Sequence, residues 1–273
     1  MNFSLSLHSI HSLARFFGRR FVFASMAVVG LSSSSEAQTI DWEGYCSASG
    51  HRVLLLVDIT TPYDNQDKQI LVDGLQNIVG KLGDGDRIVI RTIADSYTHT
   101  EKLIDRCMPY CPPMSFWESL FSNCTGGLIL NHKRTLNAEI RTSVRRRRDR
   151  FKELEHSEII GTIAQSAKEV LSPKQGAKVY IFSDLIENSD YIPGDIFWEE
   201  SNEVLFIKIE AGKLVPNLQG ATVKIFGVGR GGGSERMPLP IPRLNKLLDF
   251  WNKLLTRGGA AEVTISQNLV ADQ

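Results

Sequence analysis

Asp58, Thr60 and Thr61 set a carboxylate and two hydroxyls directly behind the bare apolar run Val53 to Val57, in the stretch RVLLLVDITTPYDNQD. Oxygen donors of this kind hold hard cations such as magnesium. The run is too short for an isolated helix and rich in β-branched and aliphatic residues, so it reads as a strand buried on both faces, with Asp58 at its carboxyl end. A second run, Lys178 to Phe182, ends in the same way at Ser183 and Asp184. In an open α/β sheet ligands bind outside the carboxyl ends of the strands, so the two aspartates are expected at one edge. Both also have a plainer role open to them, because Asp is a good acceptor for the backbone amides of a helix start.

Other chemistry is thinly represented. There is no GxSxG and no HExxH, and the six histidines are scattered along the chain. Gly227, Gly229 and Gly232 satisfy GxGxxG, but Pro238, Pro240 and Pro242 follow where a dinucleotide-binding loop must open a helix. The stretch Ile140 to Arg150, IRTSVRRRRDR, is the one strong charge run. It reads either as a docking face for an acidic partner or anionic lipid headgroups, or as a solvated helix face paired with Glu139, Glu153 and Glu155. Lys plus Arg and Asp plus Glu each number 31, so no overall basic excess points to nucleic acid.

The N-terminal stretch suggests export. Arg15, Arg19 and Arg20 precede the apolar run Phe21 to Leu31, and Ser35 and Ala37 occupy the small-residue positions of a cleavage site. Residues 1–37 therefore read as a signal peptide, with residues 38–51 as an extension before the main domain. An uncleaved anchor is the alternative, although the run is shorter than the roughly 18 apolar residues that span a bilayer. Cleavage removes three of the 31 basic and one of the 31 acidic residues, leaving a net charge of −2. Export in turn makes Cys46, Cys107, Cys111 and Cys124 an even set of disulfide candidates with three possible connectivities. Cys46 lies before the first strand and Cys107 follows an expected edge strand, so Cys46 is expected to join Cys107 or Cys111, with Cys124 taking the remaining partner. A zinc site from Cys107, Cys111, Cys124 and His132 is the competing arrangement, but its spacing matches no closed structural pattern.

Periodicity supplies the elements that would position these groups. A helix starts near Asp64, with Ile70, Leu71, Leu75, Ile78, Val79 and Leu82 on one face, and Arg87 to Ala94 is a second strand after a Gly-Asp-Gly-Asp turn. Thr98 to Ile104 reads as a short edge strand, and the remainder of residues 95–135 as a disulfide-tied insertion. Ser157 reads as the cap of a helix carrying Ile159, Ile160, Ile163, Ala167 and Val170. Phe197 to Ala211 reads as helix, Leu218 to Val228 holds a fifth strand, Leu244 to Leu255 is an amphipathic helix and Glu262 to Ile265 a last strand.

The order LLLVDITT, LGDGDRIVI, HSEIIGTI, VYIFSDLIENS, VKIFGVG and FWNKLLTRGGA resembles a von Willebrand factor A-like domain over residues 52–270. The resemblance implies an α/β fold: a doubly wound, mainly parallel six-stranded sheet with an antiparallel edge strand and helices on both faces. It further implies a metal-ion-dependent adhesion site, in which Asp58 and Thr60 match the first motif, Ser157 supplies a loop hydroxyl and Asp184 the last carboxylate, around Mg2+. Pro62 departs from the pattern, standing where the second hydroxyl of the first motif belongs, and a pyrrolidine ring cannot ligate a cation.

Two functions follow. One is a periplasmic or secreted binding module that recognises a protein of the cell envelope or the exterior, with a ligand carboxylate completing the cation's shell. Membrane contact would come only through an uncleaved leader or the helix at Arg145 to Arg150. The other is a metal-dependent hydrolase on a doubly wound scaffold, which needs a general base beside a metal-bound water. The leader makes one direct prediction: intact-mass measurement of the exported protein should place its first residue at Gln38. A species retaining Met1 or Phe3 would instead mean an anchor.

Overall fold

A computed structural model of the chain describes residues 40–115, 117, 124–149, 154–173, 175–230 and 237–266. The expected leader, residues 1–37, lies outside them, as do Arg150, Glu153 and Gly232. Six strands are formed: β1 (Arg52–Asp58), β2 (Arg87–Ile93), β3 (Lys102–Cys107), β4 (Ala177–Phe182), β5 (Thr222–Phe226) and β6 (Glu262–Ser266). They make one sheet of order β3-β2-β1-β4-β5-β6, parallel throughout except for β3, which runs antiparallel to β2. This is the doubly wound, mainly parallel six-stranded sheet expected from the sequence.

Strand β1 is central because both its faces are apolar. Val53, Leu55 and Val57 point to one side and Leu54 and Leu56 to the other, as the two-residue period of a strand requires. The first set packs against α1 (Asn65–Gly80) and α2 (Gly126–Arg148). The second packs into the larger core under α3 (Ile159–Val170), α4 (Gly194–Glu199), α5 (Asn202–Ala211) and α6 (Ile241–Arg257). The α6 contribution is Leu247, Phe250, Trp251, Leu254 and Leu255, all fully buried at three- and four-residue spacing. Among the described residues, no helix is long and apolar enough to cross a membrane.

Several expected boundaries move. The edge strand begins at Lys102 rather than Thr98, because Tyr97–His99 is a turn of 3-10 helix, and it runs on to Cys107. The expected insertion narrows to the stretch before Thr125, since α2 starts at Gly126 with the Thr125 hydroxyl accepting the Leu128 amide, and it carries the arginine run in its last turn. Among the described residues, Arg147 meets Glu101, Arg145 and Arg148 meet Asp149, and Glu139 is engaged by Arg106 of β3 rather than by the run, while the expected partner Glu153 lies outside the described residues. The stretch Phe197 to Ala211 is two helices, broken at Glu200 and restarted by Ser201, whose hydroxyl accepts the Val204 amide. Helix α6 begins three residues early, with Pro242 in its first turn, where a missing amide costs nothing.

The cysteines settle as Cys46–Cys107 and Cys111–Cys124, with Cα separations of 5.1 and 5.7 Å. All four are thus paired, which removes the zinc alternative, and His132 instead meets the Tyr45 hydroxyl at 2.7 Å. Cys107 ends β3 opposite Arg87 at the amino-terminal edge of the parallel strands, which is why Cys46, just before β1, can reach it. The two bridges fit an exported chain. The first closes 61 residues and the second 13. Loop-closure entropy then favours the first, at about 4 against about 3 kcal/mol. Chemical denaturation of the Cys46→Ser/Cys107→Ser pair should therefore show the larger loss of stability, and the Cys111→Ser/Cys124→Ser pair the smaller one.

Candidate functional site

Parallel register brings the two sequence runs together. Val57 pairs with Phe182, so Asp58 and Ser183 are the next residues on adjacent strands. Strand β1 lies between β2, reached through α1, and β4, reached from the other side. The gap between β1 and β4 is thus the topological switch point, where a crevice opens at the carboxyl edge.

Asp58 is only 4% exposed. A carboxylate so placed needs hydrogen-bond donors in place of water. Its Oδ1 accepts the Thr60 amide at 2.9 Å and the Thr60 hydroxyl at 2.7 Å, and its Oδ2 accepts the Ser183 hydroxyl at 2.6 Å. The Thr60 hydroxyl is also hydrogen-bonded to that of Ser157, at 3.0 Å. Asp184, 5% exposed, accepts the Ile186 amide at 3.0 Å through Oδ1. Three of the four expected residues, Asp58, Thr60 and Ser157, therefore form one hydrogen-bonded network. Asp184 shares with Asp58 and Ser183 a cavity of about 20 Å³ that Thr61, Tyr63, Asp67 and Gly227 also line, and Thr60 and Ser157 stand outside that lining. That is space for roughly one water-sized group.

Ser157 reaches this network by a different route from the one its position suggested. It does not cap α3, which has no side-chain cap from the residue before it. The Ser157 backbone instead exchanges hydrogen bonds with Asn188, and the helix-start amides of Ile159 and Ile160 donate to the Glu187 carboxylate at 2.9 and 3.0 Å. The aspartates likewise close loops after strands rather than capping helices: α1 is capped by Asp64 and Asp67 in a reciprocal box.

Three further residues shape the edge. Ser183 ties β4 to β1: its hydroxyl donates to Asp58 and accepts the Leu185 amide at 2.9 Å. Leu185 has φ 62°, an uncommon conformation for a branched residue, and its carbonyl is held by the Trp251 indole N–H at 2.8 Å. Arg230, from the glycine-rich loop after β5, places its guanidinium over Asp64 and Asp67, meeting Asp67 at 3.1 Å. Burial pushes the Asp64 carboxyl up, but the Asp67 amide and Arg230 outweigh that and hold it below its usual value.

The donor set suits a hard cation in kind. Magnesium–oxygen distances near 2.1 Å put neighbouring ligand oxygens about 3 Å apart, close to the 2.6 to 3.0 Å steps of this network. A hydroxyl can ligate through a lone pair while its proton still serves Asp58. Among the described residues, however, no group of three or more His, Cys, Asp or Glu side chains is placed to hold a metal. Hydroxyls and water would have to complete the shell, and Pro62 removes one hydroxyl.

No family model and no curated protein matches the chain. Among solved structures it is similar to an aerotolerance-related membrane protein from Bacteroides fragilis NCTC 9343, a form with multiple mutations to serines. The two share 12% identity over 81% of this chain and 92% of that one, with a TM-score of 0.39. So loose a likeness says nothing about the site.

Glu187 gives the region a pH dependence. Desolvation raises its carboxyl from 4.5 to about 7, opposed by hydrogen bonds from Ser189 and the two helix amides and assisted by Glu158. A carboxyl raised in the fold stabilises most below its unfolded value, and that stability is lost as pH rises from about 4.5 to about 7. Thermal melts should show the midpoint falling across this window. In Glu187→Gln, which keeps an acceptor but cannot ionise, the fall should be largely absent.

Proposed function

We propose that the chain is an exported binding module of the von Willebrand factor A-like type. It acts in the periplasm or outside the cell on a protein of the envelope or exterior, through the carboxyl edge of β1 and β4. The observation that carries this reading is the hydroxyl–carboxylate network of Asp58, Thr60, Ser157 and Ser183 beside Asp184, built at the switch point of a doubly wound sheet. Asp58, Thr60, Ser157 and Asp184 would hold Mg2+, with Ser183 as a further oxygen. The ion would supply the positive charge that attracts a carboxylate of the partner. Affinity for the metal is expected to be weak, since Pro62 offers no donor and hydroxyls are poorer ligands than carboxylates.

The arrangement favours binding over hydrolysis. A metal-bound water needs a general base in reach. Glu187, the carboxyl raised toward neutrality, is committed to the amides at the start of α3.

Thermal unfolding with and without Mg2+ or Mn2+ tests the site, because a ligand that binds only the folded chain stabilises it. At tenfold over Kd the gain is about 1.4 kcal/mol, or roughly 2–4 °C for a domain of this size. The response should appear only at millimolar metal, strengthen in Pro62→Ser and vanish in Asp184→Ala. Capture of an envelope protein by the mature chain should follow the same order across the variants. A midpoint indifferent to metal in both the wild type and Pro62→Ser would leave the aspartates as loop-closing residues and overturn the proposal.

A further inference from the structure

A second surface lies on the α1–α2 face, away from the carboxyl edge. A groove of about 590 Å³ runs between the two helices. Its floor is apolar, Leu71 and Leu75 from α1 and Ile140 and Val144 from α2, all four buried at 1 to 6% exposure, and the more open Val72 and Val79 flank it. Its two walls differ in charge. On α1 the rim is Val72, Gln76 and Gly80, spaced one turn apart and uncharged. On α2 it is Arg141, Arg145 and Arg148, also about one turn apart, and among the described residues no acidic side chain lines the groove. Arg145 and Arg148 share the exposed Asp149 beyond the rim, and Arg141 makes no ion pair among the described residues.

These features select an occupant. An apolar trough flanked by two helices takes the apolar face of a third, anchored by residues at three- and four-residue spacing. A row of guanidinium groups along one wall only, over two helical turns, matches carboxylates repeated along one flank of such a helix. A single lipid headgroup would engage one end of the row and leave the rest unused. We propose that this groove docks an amphipathic helix of a partner protein, its apolar stripe on Val72 and Val79 over that floor and an acidic flank against Arg141, Arg145 and Arg148. The surface is separate from the metal edge, so either assignment can fail without the other.

Gly80 makes the test clean. A Cβ added there meets no atom within 4 Å, and it lines the groove, so Gly80→Leu fills the space without a backbone clash. Leucine is also the better helix former. The thermal midpoint should therefore hold or rise, and lost binding could not be blamed on unfolding. Displayed random peptides of about four helical turns would be selected against the full exported chain in the presence of a chelator, which silences the metal edge. The enriched peptides should carry apolar residues at helical spacing with Asp or Glu along one flank. A labelled copy should bind about tenfold or more weakly to Gly80→Leu and to Arg141→Glu/Arg145→Glu than to the wild type, and a copy with lysines for the acids should not bind. The proposal is overturned if the enriched peptides lack the acidic flank. Equal binding to the variants and the wild type, or groove-dependent binding to phosphatidylglycerol vesicles but not to peptides, would overturn it too.

Discussion

A carboxylate taken out of water at the end of a buried strand is the constraint on which the arrangement of this molecule turns. Asp58 follows five apolar residues that fill both sides of the sheet, so it cannot be displaced toward solvent without dragging β1 with it. Left unpaired, such a group would cost several kcal/mol. It is satisfied locally by Thr60 and across the strand boundary by Ser183. That second bond requires the β1–β4 register, the register places Asp184 at the same edge, and the turn holding Asp184 forces Leu185 into a left-handed conformation that Trp251 of α6 keeps in place. A single buried charge thus couples strand pairing, loop shape and the seating of the C-terminal helix.

Much of this was legible in the sequence, for a physical reason. Strands buried on both faces must be continuous apolar runs, and such runs with a polar stop are conspicuous: Val53 to Val57 and Lys178 to Phe182 identified both the sheet and the edge at which Asp58 and Asp184 meet. Amphipathic helices were equally plain where burial is deep, as in α6. What escaped were features fixed by tertiary partners. Ser157 precedes a helix and looks like its cap, but the cap is Glu187, distant in sequence and visible only once the loop after β4 folds back. The arginine end of α2 read as a helix face, but its first half was hidden, because only Leu136, Ile140 and Val144 of its 23 residues are buried, too thin a stripe to stand out among the polar side chains around it. Arg230 sits in a glycine-rich loop with no local signal of its role, and its partners Asp64 and Asp67 read as ordinary helix-start residues, which they also are.

The carboxyl edge and the face bearing the groove differ in what builds them. The edge is organised by short hydroxyl and carboxylate side chains on loops pinned by the sheet, which fixes positions closely but supplies little apolar area. The groove is organised by two helices that share a strip of floor and diverge above it, which supplies area and leaves charge to discriminate. Small ionic contacts suit the first and an extended element the second.

The thin seating of α2 has a further consequence for how the chain resists opening. Under α3 to α6 the sheet is covered by interlocking aromatic rings, Phe197, Phe206, Phe250 and Trp251 among them, and that side is secured mainly by apolar burial, without a disulfide. On the other side burial is leaner, and there both cross-links are found, one ending β3 and the other just ahead of α2. Cohesion is therefore divided between two currencies: one half answers to temperature and denaturant through its hydration, and the other to the electron-donating power of its surroundings.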